Sequence, residues 1–154
     1  MGDFGIVHFA CHGSSDLGDP SSRFPAFQGD SDTVPDKLTV QEMANLNLGR
    51  TWLAYLSACS TAENDVLDLF DEVLHLASAF QVAGFRHVIA SMWTSKDAIC
   101  VQVSSVLYRP LTRSSDTRWD NKAVAAALQA SVMEVRTQNP DKPYLWAQYI
   151  HTGT

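Results

Sequence analysis

Three short runs in this chain are almost wholly apolar and do not alternate with polar residues: Ile6 to Ala10, Trp52 to Leu56 and His87 to Ser91. A strand with one wet face alternates, whereas a strand covered on both faces reads as a continuous apolar run. Segments with helical features lie between and after these runs. The order predicts an α/β fold with a mostly parallel sheet, joined by crossovers, and helices on both faces.

The chain has 154 residues, enough for one domain with a real core. Hydrophobic residues make up 45% and charged residues 18%, which excludes a disordered chain. The net charge of −6, with no run of Lys and Arg, argues against a nucleic-acid partner. No stretch is long and apolar enough to span a bilayer, and the N-terminus has no signal-peptide pattern. Met1-Gly2 is the first element of a myristoylation site, but position 6 is Ile rather than Ser or Thr. No membrane association is therefore expected. The three cysteines are an odd number in apolar or strand-end contexts, as in a reduced, cytoplasmic protein.

Between the runs, residues 14 to 36 are rich in Ser, Asp, Gly and Pro and read as a long loop or hairpin region. Thr39 and Glu42 form a capping box, so a short helix is expected to start there. The acidic stretch Glu63, Asp65, Asp68, Asp71 and Glu72 leads into a helix predicted from about Glu72 to Ala83, with Gly84 suited to a left-handed cap. Thr94 and Asp97 are placed to cap a helix that ends before Pro110. Val124, Leu128, Ser131, Val132 and Val135 form one stripe of a helix from about Asn121 to Gln138, read as core. Trp146 to His151 reads as a last strand.

Two of the apolar runs end in turns that carry reactive side chains. The first is His8-Phe9-Ala10-Cys11-His12-Gly13 and the second is Leu56-Ser57-Ala58-Cys59-Ser60-Thr61-Ala62. In open parallel sheets, sites form beyond the carboxyl ends of the strands. His12 and Cys59 lie there if the strands end near Ala10 and Ser57. A free thiol has a pKa of about 8.5, so a few per cent is thiolate at neutral pH, and an imidazole can take its proton or hold the thiolate. The backbone N–H groups of Gly13 and Cys59 are placed to receive an oxyanion. His12 precedes Cys59 by 47 residues, close to the ~50 that separate the two in caspases.

The motifs resemble those of CHAT domains, caspase-like domains often joined to TPR arrays. Residues 8 to 13 resemble the family's His-Phe-Ala-x-His-Gly motif, and residues 56 to 62 its Leu-Ser-Ala-Cys-x-Thr motif. Leu38-Thr39 with Glu42-Met43 resembles the intervening segment. Residues 71 to 80, 83 to 93 and 143 to 153 are similar to the helix after the nucleophile, the next strand and the terminal strand. The resemblance covers almost the whole chain. It implies a caspase-like three-layer sandwich, a dyad of His12 and Cys59, a peptide or protein substrate, and control by an attached or partner TPR or other sensor domain. It implies no cofactor. In the family, further strand and helix elements precede the His motif, and here five residues precede Ile6. On this comparison residues 1–154 are a single, partial domain lacking the first strands. The His12 strand would then be an exposed edge open to association.

The remaining candidates have competing readings. Glu63 and Asp65 either line a substrate site that favours a basic residue or belong to a solvated loop, and Asp71 and Glu72 suit a helix start. His8 lies within its strand, as a satisfied core histidine or as a group orienting His12. Cys11 with His8 and Cys59 fits no recurrent zinc spacing, so no metal is expected. Cys100 reads as a small core residue, and Trp93, Trp119 and Trp146 as core or pocket-rim residues. Two functions remain: a cysteine endopeptidase acting through a thioester acyl-enzyme, or an inactive signalling or scaffold module that retains the fold.

Overall fold

The computed structural model describes residues 5–13, 25–27, 36–37, 51–58, 66–93, 95–113 and 121–153. The chain runs β1 (Ile6–Gly13), β2 (Pro25–Phe27), β3 (Asp36–Lys37), β4 (Leu53–Ala58), α1 (Val66–Val82) and β5 (His87–Ser91). It continues through α2 (Asp97–Arg113), α3 (Asn121–Gln138), a 3-10 turn (Pro143–Leu145) and β6 (Tyr149–Gly153). The strands form one sheet in the order β3-β2-β1-β4-β5-β6.

The parallel core of that sheet is β1, β4 and β5, the three non-alternating runs. β6 joins β5 antiparallel, from His87↔Gly153 to Ser91↔Tyr149. Strand pleating sends successive side chains of β4 to opposite faces. Ala54 and Leu56 pack with Phe9, Ala77, Phe80, Phe85 and Val88 under α1. Leu53 and Tyr55 pack with Ile89, Leu107, Leu111, Val124 and Leu128 under α2 and α3. Helices thus cover both faces of the sheet, giving the expected α/β sandwich.

The third apolar run matches β5 residue for residue, and the striped helix matches the bounds of α3. Val124, Ser131 and Val135 are fully buried, and Leu128 is buried as well. Gly84 has φ 109°, the left-handed cap the sequence suggests. Gly84 N donates to Gln81 O at 3.0 Å and Phe85 N to Phe80 O at 3.1 Å. This is a Schellman motif, and the Phe80 and Phe85 rings close it at 5.5 Å.

Several boundaries differ from those expected. β1 runs through Gly13 rather than ending at Ala10, because Cys11 pairs with Ala58 on one side and His12 and Gly13 pair with Ala26 and Pro25 on the other. The His12 end of β1 is therefore not a bare edge. Along Ile6 to Ala10, no strand pairs that side among the described residues. α1 begins at Val66, so Asp71 and Glu72 lie inside the helix and not at its start. α2 passes through Pro110 because Leu107 and Leu111, one turn apart, are both buried beneath it. β6 starts at Tyr149, not Trp146, since Trp146 N and Ala147 N both donate to Pro143 O in the preceding turn. The expected short helix near Thr39 and the residues Thr94 and Trp119 lie outside the described residues.

Candidate active site

The site is set by two neighbouring parallel strands. β1 and β4 keep a continuous register from Ile6↔Leu53 to Cys11↔Ala58. The last pair immediately precedes His12 on one strand and Cys59 in the sequence of the other. His12 and Gly13 are the final residues of β1, held by the short β2 strand, so they occupy a strand end rather than a free turn. Cys59, Glu63 and Asp65 lie outside the described residues.

Just below this end, His8 of β1 reaches across the ladder. Its Nε2 is 2.7 Å from Ser57 Oγ in β4. The register partner of His8 is Tyr55, so the imidazole leans along the strand toward the carboxyl ends. Its ring stacks on Tyr55 at 4.6 Å and meets Tyr108 of α2 edge-on at 5.8 Å. Ser57 is buried, whereas His8 remains exposed, so His8 is hydrogen-bonded but is not the core histidine expected. Contact with the sheet partly desolvates the ring and holds its pKa below the ordinary 6.5.

Deeper on the same face lies a group of phenols. Tyr55 is fully buried, and burial first, then Tyr149, Cys100 and Tyr108, push its pKa far above the usual range. Burial likewise raises Tyr108 and Tyr149. The Tyr55 and Tyr149 hydroxyls are close enough to interact electrostatically, yet among the described residues the hydroxyls of Tyr55, Tyr108 and Tyr149 have no partner at hydrogen-bonding geometry. Cys100 is buried in the first turn of α2, as a core residue.

The tryptophans act as fasteners. Trp93 Nε1 donates to Tyr144 O at 2.8 Å, and Trp146 Nε1 donates to Asn139 O at 3.1 Å, with Arg136 over its ring at 5.0 Å. Between them, Gln148 is fully buried and donates to Ser95 Oγ and Leu145 O while accepting from Ser91 Oγ. This network ties the carboxyl end of β5 to the start of β6. Sequence reading missed both Gln148 and the His8–Ser57 bond. The first has no local signal, and the second needs the β1–β4 register.

No helix among the described residues is long and apolar enough to cross a membrane. No curated protein matches the sequence. The family model described as the CHAT domain matches residues 1–154, the full span that holds the parallel β1–β4–β5 core and both strand-end motifs. The chain therefore belongs to the CHAT domain family, a caspase-like family related to peptidases.

Proposed function

We propose that the chain is a cysteine endopeptidase domain in which Cys59 is the nucleophile and His12 its base. The observation that carries this reading is the β1–β4 register, whose last pair, Cys11↔Ala58, directly precedes the two residues. The Cys59 thiolate attacks the carbonyl carbon of a peptide bond, and the backbone N–H groups of Gly13 and Cys59 receive the oxyanion. The C–N bond breaks as imidazolium His12 gives its proton to the leaving amine. Water, deprotonated by His12, hydrolyses the thioester and restores the thiol. Glu63 and Asp65 are proposed to line the approach of the substrate, and an attached or partner sensor domain to control it.

A peptide probe with a thiol-reactive acyloxymethyl ketone tests the reading. Labelling is expected at Cys59, absent in Cys59→Ala and slower by about 10²-fold or more in His12→Ala. A wild-type chain that is folded and never labelled at Cys59 rejects the peptidase and leaves a scaffold module.

A further inference from the structure

We infer that the His8–Ser57 hydrogen bond is a positioning strut that sets the height of His12 against Cys59. This rests on the peptidase reading above and extends it to two residues outside the dyad. Ser57 lies two residues before Cys59 and is buried on β4, while His8 lies four residues before His12 on β1. A buried hydroxyl needs a partner. Here the partner is a side chain of the adjacent strand, 2.7 Å away.

The arrangement holds more order than burial demands. His8 is exposed overall, with its ring part-buried against the sheet, and burial alone would leave that ring free to turn. Instead its ring is fixed by the Tyr55 stack at 4.6 Å, by the edge of Tyr108 at 5.8 Å and by the bond to Ser57. The bond runs diagonally, since Ser57 is the register partner of Ala10 and not of His8. A diagonal tie resists sliding of one strand along the other. Each residue of slip would carry His12 about 3.3 Å past its place and reverse its face. Misplacement by about 1 Å can cost ~10²-fold in rate, so a tie close to the reacting groups acts on catalysis more than on folding.

The test reads the rate at which iodoacetamide alkylates Cys59 in the full chain at pH 7, followed on the Cys59 peptide by mass spectrometry, with a thermal melt of each variant. His8→Phe keeps a ring to stack on Tyr55 and loses the bond; Ser57→Ala loses it from the other side. Each is expected to slow alkylation about 10-fold, and the double variant no further than either alone. His8→Gln retains a donor and an acceptor, and is expected to restore the rate to within about threefold of wild type. If His8→Phe fails to fold, Ser57→Ala and His8→Gln decide the matter. Unchanged rates in the strut variants, with slow alkylation in His12→Ala, overturn the strut and leave the dyad standing. Additive losses in the double variant also overturn it. Unchanged alkylation in His12→Ala removes the dyad, and the strut with it.

Discussion

Among the described residues, Tyr55, Tyr108 and Tyr149 bury hydroxyls with no partner at hydrogen-bonding geometry, and each such hydroxyl costs free energy that a phenyl ring would not. Tyr55→Phe is therefore expected to leave stability unchanged or raise it by about 1 kcal/mol, read from the midpoint of urea unfolding. Ser57→Ala makes the opposite case, since it removes the serine end of a satisfied bond to His8. At this scale the sequence was partly legible. His12 and Cys59 stand out because their residue types and motif neighbours carry the resemblance. His8 and Ser57 are separated by 49 positions. Nothing local says that they meet, because the contact exists only once β1 and β4 have taken their register.

Elements were read best where one face repeats. α3 shows its stripe over its whole length, and β5 is buried at all five positions. The true start of α1 was also available: Val66, Phe70, Val73 and Ala77 continue the apolar spacing upstream of the acids that suggested a later start. The extension of β1 and the passage of α2 through Pro110 were not, because both depend on distant partners. Two glycines set element ends. Gly84→Ala places a side chain in the left-handed cap of α1 and is expected to cost about 1–2 kcal/mol in chemical denaturation. Gly153 has φ +136°, and a Cβ there would meet the Arg86 carbonyl and lie 2.8 Å from His87 Nδ1. Gly153→Ala is thus expected to lower the melting temperature, as a thermal melt of the variant would show.

For the whole molecule, two histidines link protonation to folding. Burial lowers the pKa of both His8 and His151 from 6.5, and His151 Nε2 is 3.1 Å from Nδ1 of the fully buried His87. A lowered histidine pKa means that the unfolded chain binds more protons over the window below pH 6.5. The stabilisation is present above pH 6.5 and is lost as pH falls through the lowered folded values. The melting temperature is expected to fall from pH 7 to pH 5, and His151→Gln to make that fall shallower, as calorimetry across the range would show. The three-layer plan was legible because non-alternating strands leave few other solutions, while the antiparallel β2–β3 ribbon falls in and just beyond the segment read as a loop or hairpin, whose lack of period left the strands unplaced. That ribbon has a mechanical consequence. β4 is flanked on both sides by parallel neighbours, so the strand that ends one residue before Cys59 can be freed only by opening the middle of the sheet. Among the described residues, the end of β1 that holds His12 is paired on its outer side with two residues of β2, Ala26 and Pro25. A pull on the ribbon would shift His12, the proposed base, and leave the strand before Cys59 in place, so the two halves of the proposed dyad rest on footings of unequal strength.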